Sequence, residues 1–518
     1  MKTNIKLITA LIIAMISMGL YGCKDDLSSL DMNKLPDVRV DTTGQSALNI
    51  FQFDTLNLSP NIIVNNLQGH ELAYTWSINL APRSLDTIVI GHEKDLSYPI
   101  SFAPTLPDYQ HQLLLTITDI NTGIKYFQDW PLKIRNGIGE GLVIVETYDQ
   151  STTDFSHIMD PLVTPDYQAT NIRKRVFSAV NGFTIPGLVN QMVYTRLGAN
   201  NILIGSTADH IYGISPLDYT LTKQDVDFYY VEQPSYGGYD FIGGINQNDV
   251  FIKDGKFYAS WLQLAKIGLP HANNYVVPSI VGLNAYNAFN DVRLNFYSEA
   301  LGQFIFLPSF ASFGDRVMRP VPASTGPFNP AAVPQKLNIA AAVNNEGDFI
   351  HLLLDKSTQN FGLYILDRGG YDSNTWEVIA PKPKRYVDLS GAPEIDQAIH
   401  FAFLDDQQVF LYATPSKIYA AMYSASTPSY AVRYTAAAGE EITSLQTYYQ
   451  TDYPKRFADA QSPYFVHNGK QLLLSTYNGS EGKLSILPLI NPGLANIDQA
   501  KVKTFEGFGK ILFTLTQF

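Results

Sequence analysis

A short hairpin pattern recurs along the chain, and it constrains the fold more than any other feature. A strand, a turn and a second strand appear in "NILIGSTADHIYGI" (201–214), "DVFIKDGKFYASW" (249–261) and "QVFLYATPSKIYAAMY" (408–423). "QLLLSTYNGSEGKLSIL" (471–487) is a copy with a longer turn, and "GDFIHLLLDKSTQNFGLYIL" (347–366) is a looser copy. Hairpins that repeat about every 40–50 residues are typical of a β-propeller.

The strand count of this region indicates six to eight blades, and we predict seven. Apolar, β-rich strands stand at both of its ends, "GLVIVETYD" (141–149) and "KILFTLTQF" (510–518). Their pairing in one blade would close the ring and remove two open sheet edges. A β-sandwich and a β-helix are the alternatives, but the region is too long for one sandwich and its period is too long for a β-helix. Helical signals are few, and "EEITSLQTYYQ" (440–450) fits a turn or two of helix.

The preceding stretch, residues 36–136, has the pattern of a separate small β domain. In "ELAYTWSINL" (71–80) apolar and polar residues alternate, which places Trp76 on the same face as its apolar neighbours two residues away. "QLLLTITDINTGIKYFQDWPLKI" (112–134) contains two strands around a turn with Asn and Gly, residues suited to tight turns. About 100 residues of this kind predict an immunoglobulin-like sandwich. The fold class is therefore all-β, with this sandwich followed by the propeller over residues 137–518.

The start of the chain has the features of an export signal. Lys2 and Lys6 precede an uncharged, mostly apolar run too short for a membrane span. "LYGC" (20–23) ends in Cys23, the single cysteine of the chain, and resembles a bacterial lipobox. The resemblance implies that residues 1–22 are a lipoprotein signal peptide, that Cys23 carries the lipid, and that residues 23–35 are a tether. The alternative is an ordinary secretory signal with an incidental cysteine.

Further stretches carry a resemblance to one family. "YTWSI" (74–78) and "TITDINTG" (116–123), with "GLVIVETYDQSTTDFSHIMD" (141–160) and "FEGFGKILFTL" (505–515), resemble the PKD-like family of Bacteroidota surface lipoproteins. The resemblance implies a PKD-type domain with Trp76 in its core. It also implies an accessory subunit of a starch-utilisation-type nutrient importer, in which the partners are a TonB-dependent transporter barrel and its lid lipoprotein.

The localisation follows from the same kind of resemblance. "KDD", directly after Cys23, is similar to the surface-export signal of Bacteroidota lipoproteins. It implies an outer-membrane protein that is anchored in the membrane lipid by the acylated Cys23 and exposed at the cell surface.

The charge balance excludes one class of partner. Removal of residues 1–22, which carry two lysines and no acid, changes the formal net charge from −12 to −14. An acidic chain without a block of Lys and Arg argues against binding to nucleic acid and against polybasic docking on a membrane.

Enzyme motifs are missing from the sequence. It contains no His-Glu-x-x-His, no Gly-x-Ser-x-Gly and no P-loop, and its nine histidines are dispersed. We therefore predict a binding protein that is not an enzyme and has no cofactor or metal. The alternative is a propeller-type polysaccharide hydrolase or lyase. The acid pairs Asp405-Asp406 and Glu440-Glu441 fit solvated turns, and the turn at Asp119 fits an Asx-type turn better than a calcium site.

Aromatic loops are the better functional signal. "DFYYVEQPSYGGYDF" (227–241) and "TYYQTDYPKRF" (447–457) combine tyrosines with loop-forming residues, and tyrosine is favoured in binding surfaces. The alternative is that these rings cover blade edges. We predict that the following tyrosines contact a peptide or glycan ligand, or a partner protein: Tyr236, Tyr239, Tyr448, Tyr449 and Tyr453.

Overall fold

The chain divides into two compact units, residues up to Gly137 (unit 1) and residues from Ile138 onward (unit 2). The signal-peptide and tether segments predicted for residues 1–35, including Cys23, lie outside the described residues. The computed structural model describes residues 36–43, 47–65, 69–105, 108–163, 170–197, 200–243, 250–259, 266–268, 275–284, 292–308, 317–375, 377–450 and 466–517.

Unit 1 is built from strands only in its described residues. One sheet has the order β2-β9-β8-β5-β6, and two small antiparallel sheets pair β1 with β4 and β3 with β7. β2 runs parallel to β9, and the other pairs of the larger sheet are antiparallel. The strands are β1 (Asp37–Asp41), β2 (Leu48–Phe51), β3 (Thr55–Leu58), β4 (Asn61–Asn65), β5 (Leu72–Asn79), β6 (Thr87–Gly91), β7 (Leu96–Pro99), β8 (His111–Asp119) and β9 (Lys125–Arg135).

The core of unit 1 lies between these sheets. Buried and less buried residues alternate along β8, as expected of a sheet with one face on the core. Trp76 is fully buried, and its ring stacks on that of Trp130 with a centroid distance of 5.5 Å. The placement of Trp76 in the core is thus confirmed, and the immunoglobulin-like topology stays a prediction.

In its described residues, unit 2 contains seven antiparallel sheets of three or more strands, numbered here sheets 1 to 7 in chain order, and a two-stranded antiparallel sheet of β28 and β29. The strand orders of sheets 1 to 7 are β12-β11-β10-β40, β14 to β17, β18 to β20, β21 to β24, β25-β26-β27-β30, β31 to β34, and β35-β36-β37-β39. Helical structure in these residues comprises α1 (Val176–Asn181) and short 3-10 turns, among them Asp225–Phe228, Ile395–Gln397, Pro492–Leu494 and Gln499–Lys501. The strands are β10 (Gly141–Thr147), β11 (Thr152–Met159), β12 (Asn171–Arg173), β13 (Ile185–Pro186), β14 (Gln191–Leu197), β15 (Asn200–Ser206), β16 (Ile211–Ile214), β17 (Leu221–Gln224), β18 (Phe241–Gly243), β19 (Val250–Lys253), β20 (Lys256–Ala259), β21 (Gly282–Leu283), β22 (Leu294–Ser298), β23 (Gln303–Leu307), β24 (Arg319–Pro320), β25 (Lys336–Val343), β26 (Phe349–Asp355), β27 (Phe361–Leu366), β28 (Gly370–Tyr371), β29 (Val378–Ile379), β30 (Pro383–Asp388), β31 (His400–Leu404), β32 (Val409–Ala413), β33 (Lys417–Met422), β34 (Ser429–Thr435), β35 (Glu441–Thr447), β36 (Gln471–Tyr477), β37 (Gly482–Asn491), β38 (Asn496–Ile497), β39 (Lys503–Phe508) and β40 (Lys510–Gln517).

The middle strands of these sheets are buried on both faces, which explains why they read as continuous apolar runs. In β36, Leu472 and Leu474 pack with residues of sheet 6, whereas Leu473 packs with residues of sheet 1. Similar apolar clusters join sheets 2 and 3, 3 and 4, 4 and 5, and 5 and 6. Between sheets 1 and 2, the ring of Phe155 lies against Tyr219. Each sheet thus packs face to face on the next around a closed ring.

The ring is closed within sheet 1. β40, the last strand of the chain, pairs antiparallel with β10, from Gly141 opposite Gln517 to Thr147 opposite Lys510. The pairing of first and last strands predicted from the sequence is therefore present. Together with the face-to-face packing, it gives unit 2 the architecture of a β-propeller. The all-β prediction is confirmed.

Two local predictions have different outcomes. The Asp-Gly turn between β19 and β20 has Asp254 and Gly255 at φ 51° and 70°, the left-handed region that a two-residue hairpin turn requires. The helical reading of residues 440–450 is wrong, because Glu441–Thr447 forms β35. Pairing with β36 satisfies the backbone hydrogen bonds of this stretch, whereas an isolated helix of this length is only marginally stable.

Candidate functional site

The candidate site is a cavity where the inner strands of three successive sheets meet. In sheets 7, 1 and 2, one edge strand of each sheet contacts an edge strand of the neighbouring sheet: β35 contacts β40, and β40 contacts β14. We call these edge strands the inner strands. We call this space, of about 430 Å³, the inner-strand cavity. Its lining residues are Asn190, Gln191, Met192, Gln446, Thr447, Tyr449, Leu473, Phe513, Thr514, Leu515 and Thr516.

The polar part of the lining consists of amides and hydroxyl groups. The Oε1 atom of Gln446 accepts hydrogen bonds from the backbone N–H and the hydroxyl of Thr514, at 3.0 and 2.6 Å. The Nε2 group of Gln446 has no partner among the described residues, and neither does the side-chain amide of Gln191. The cavity therefore offers amide groups that are free to bind a ligand.

Among the described residues, Tyr449 is the one predicted site residue in this lining. Its hydroxyl donates to Asp405 Oδ1 at 2.6 Å and accepts from the backbone N–H of Asp405 at 3.0 Å. The contact joins the loop after β35 to the turn between β31 and β32, so the phenol is held in a fixed position. Asp405 is buried by this contact, which corrects its interpretation as a solvated turn residue.

Two of the predicted tyrosines are buried in the apolar clusters between sheets. Tyr239 lies in the apolar cluster between sheets 2 and 3, and Tyr448 lies in the cluster between sheets 7 and 1. The Tyr448 hydroxyl donates to the backbone oxygen of Val163 at 2.8 Å, and burial raises its pKa. Apolar neighbours from the adjacent sheets cover both rings, a packing that local sequence does not reveal.

The remaining two predicted tyrosines have different positions. Tyr236 is half-buried, and its ring lies 5.8 Å from that of Tyr229. Tyr453 lies outside the described residues. The binding role predicted for all five tyrosines stays a prediction.

A second cavity, of about 350 Å³, lies between sheets 5 and 6 and is rich in charge. Lys384 Nζ lies 2.5 Å from Asp348 and 2.8 Å from Glu346. Burial opposes the charged form of Lys384, but the hydrogen bonds that its ammonium group donates to the two carboxylates raise its pKa. Asp405 and Asp406 line the same space. The ammonium group of Lys384 thus partly neutralises the negative charge of Glu346 and Asp348.

Buried histidines in unit 2 have structural partners. His157 Nδ1 lies 2.8 Å from the Tyr219 hydroxyl, and its Nε2 lies 2.8 Å from the backbone oxygen of Glu140. Burial lowers the pKa of His157 to about 4 and that of His351 to about 3. The neutral rings of His157 and His351 therefore pack in the interior of unit 2.

The turn at Asp119 has Asx-type hydrogen bonds. The carboxylate of Asp119 accepts from the backbone N–H of Asn121 and from the hydroxyl of Thr122, and it lies 2.7 Å from His70 Nδ1. Within the described ranges, no three His, Cys, Asp or Glu side chains are grouped as metal ligands. In the same residues, no helix is long and apolar enough to cross a membrane.

Sequence analysis missed the residues that form most of this cavity. Gln191 and Gln446 lie on strands whose local pattern gives no functional signal. The position of β40 at the end of the ring is the only feature that points to Phe513 and Thr514 as inner-strand residues.

Comparisons with known proteins give distant likenesses. No protein-family model matches the chain, and no curated protein matches it. Among solved structures, a quinonprotein alcohol dehydrogenase-like protein of Bacteroides thetaiotaomicron is 12% identical, with 93% of this chain and 99% of that chain covered and a TM-score of 0.41. PorZ, a surface component of the type-IX secretion system of Porphyromonas gingivalis, is 10% identical over 72% of this chain and 39% of that chain, with a TM-score of 0.36. The β-propeller domain of Swd1 from Myceliophteria thermophila is 13% identical over 62% and 87%, with a TM-score of 0.33. Similarities this low carry no conclusion about function.

Proposed function

We propose that this protein is a cell-surface lipoprotein of the outer membrane that binds a nutrient without transforming it. In this proposal Cys23 is the lipid anchor, and the chain is an accessory subunit of a TonB-dependent importer. The lipobox-like "LYGC" (20–23) and the resemblance to PKD-like surface lipoproteins support the anchor and the partner. The inner-strand cavity is the proposed ligand site.

One observation carries the binding role: the lining of the inner-strand cavity contains no Asp, Glu, His, Lys or Arg among the described residues. General acid–base catalysis needs a titratable group within reach of the substrate. Amides and threonine hydroxyls bind ligands but do not exchange protons near neutral pH. The phenol of Tyr449 is already engaged by Asp405. This chemistry fits recognition better than turnover.

A hydrolase or lyase remains the second candidate, because four carboxylates gather at the second cavity. Glu346, Asp348, Asp405 and Asp406 line it together. Lys384 bridges two of them, and Tyr449 holds a third, so each of these three has a structural partner. The binding role is therefore the better supported of the two.

The test is purification of the native complex from membranes in mild detergent. A TonB-dependent barrel and its lid lipoprotein should co-purify with the protein, and incubation with polysaccharides and peptides should release no products. The Cys23→Ala variant should stay unprocessed by lipoprotein signal peptidase. Turnover that is lost in Asp348→Asn would establish the enzyme instead, and absence of the transporter from the complex would remove the accessory role.

A further inference from the structure

We propose that the second cavity, between sheets 5 and 6, binds a small organic cation with two ammonium groups. This inference goes beyond the proposed function, because it concerns another cavity and another class of ligand. Three observations carry it: carboxylates on two adjacent turns, a buried phenol that lines the cavity, and apolar side chains beside them.

Two turns bring the carboxylates to the cavity. Glu346 and Asp348 lie in the turn between β25 and β26, and Asp406 lies in the turn between β31 and β32. The backbone N–H of Asn345 donates to the backbone oxygen of Asp405 at 2.9 Å, so the two turns are in direct contact. An elongated cation can therefore bind a carboxylate of each turn with its two ends.

The positive groups of the lining already have partners within the protein. Lys384 Nζ donates to two of the lining carboxylates. The guanidinium group of Arg385 donates to Gln408 Oε1 at 2.8 Å and to the backbone oxygen of Ala425 at 2.6 Å. An anionic ligand would have to compete with these acceptors, and the carboxylates around it would repel it. The charges of the lining thus favour a cation.

The second observation is the phenol of Tyr423. This residue lines the cavity, is 2% exposed, and has no hydrogen-bond partner for its hydroxyl among the described residues. Burial raises its pKa, while the charge of Arg385 lowers it and that of Asp348 raises it further, so the phenol is neutral near pH 7. A buried hydroxyl without a partner costs free energy, which a ligand that donates to it would recover. An ammonium group has three such donors.

The apolar side chains favour an organic cation over a metal ion. Ile350 and Ile365 are buried and line the same cavity, and both belong with Tyr423 to the apolar cluster between sheets 5 and 6. Methylene groups of a diamine can pack on these side chains while its ammonium groups bind the carboxylates, whereas a hydrated metal ion has no apolar part. The volume of about 350 Å³ falls in the range of small-molecule sites, about 300–1,000 Å³.

Binding to the full chain, extracted in mild detergent, tests the ligand class. The probe is putrescine, a four-carbon diamine, and the contrasting probes are butanediol and succinate, of the same chain length, and calcium chloride. Calorimetry is done in about 0.15 M salt, which screens exposed charges beyond about 8 Å. Putrescine should bind, and the contrasting probes should not. No binding of putrescine, equal affinity for butanediol, or binding of succinate or calcium in its place would overturn the proposal.

A substitution at the phenol tests whether the diamine lies in the cavity. Tyr423→Phe removes the hydroxyl and keeps the ring in its apolar cluster, so the fold should persist while the affinity for putrescine falls about three- to tenfold. Tyr386→Phe, at an exposed tyrosine of sheet 5 outside this lining, is the matched control and should leave the affinity unchanged. Equal affinity of Tyr423→Phe and the unaltered chain would show that the diamine binds elsewhere.

A second substitution separates the cavity from the overall negative charge. Asp406→Asn removes one exposed carboxylate of the lining and should lower the affinity for putrescine and weaken its dependence on salt. Asp396→Asn removes the same charge at an exposed residue outside the lining and should change neither. An equal loss of affinity in both variants would show that the diamine responds to the net charge of the protein, and would refute a site in the cavity.

Discussion

At the scale of single residues, one buried histidine in the propeller has hydrogen-bond partners from distant parts of the chain. His157 on β11 is held between the Tyr219 hydroxyl and the backbone oxygen of Glu140. Since Nε2 faces a carbonyl oxygen, it carries the proton, and Nδ1 accepts from the phenol. A second proton would remove the acceptor, so the fold requires the neutral ring.

This requirement predicts acid sensitivity with a definite sign. The pKa of His157 is about 4 in the fold, below its ordinary value of 6.5. The contribution of neutral His157 to the free energy of unfolding is therefore complete above pH 6.5 and is lost as the pH falls toward 4. Between pH 7 and pH 5 the loss should be about 2 kcal/mol. Chemical unfolding at both pH values should show a smaller loss in His157→Gln, whereas His92→Gln, at an exposed histidine, should match the unaltered chain. An identical pH dependence in all three proteins would contradict the assignment.

At the scale of elements, β40 is the strand on which ring closure depends. Besides its ladder with β10, it is fixed at both ends by side chains. The backbone N–H of Gly509, just before β40, donates to the buried carboxylate of Glu146 at 2.6 Å. The Nε2 group of Gln517 donates to the backbone oxygen of Ile138 at 2.6 Å. Closure thus combines backbone pairing with buried polar contacts.

Removal of this strand should prevent folding of unit 2. A chain that ends at Phe508 leaves an open edge on β10 and removes one wall of the inner-strand cavity. We expect no cooperative thermal transition for this unit in calorimetry. A synthetic peptide of residues 509–518, added during refolding, should restore the transition if strand pairing is the cause. Cooperative unfolding of the shortened chain at the temperature of the full chain would show that closure is dispensable.

At the scale of the whole molecule, the two units bury their apolar residues differently. The strands of unit 1 alternate between buried and less buried positions, so their sheets have one face on the core. The middle strands of unit 2 are buried on both faces, because each sheet packs between two others. Each unit therefore contains its own core.

A fragment of residues 138–518 should consequently fold alone. Its core and its ring closure lie within those residues, and the chain division falls at Gly137. The fragment should unfold cooperatively, at a temperature within a few degrees of the corresponding transition in the full chain. Differential scanning calorimetry of both proteins makes the comparison. A fragment that aggregates or melts without cooperativity would show that unit 2 depends on unit 1.

The sequence alone determined the all-β class, five of the propeller hairpins and the pairing of the first and last strands. These depend on local signals, namely apolar runs and turns such as Asp254-Gly255, which act within a few residues. The hairpin of β22 and β23 escaped notice, because its turn Glu299–Gly302 lacks a strong turn signature.

Only the tertiary structure decided which side chains form the candidate site. Gln446 meets Thr514 across 68 positions of sequence, and Tyr449 meets Asp405 across 44. The same packing buries Tyr239 and Tyr448, although their loops look exposed in sequence. Contacts between neighbouring sheets join residues that are far apart in the chain, and a local pattern carries no information about what packs on it.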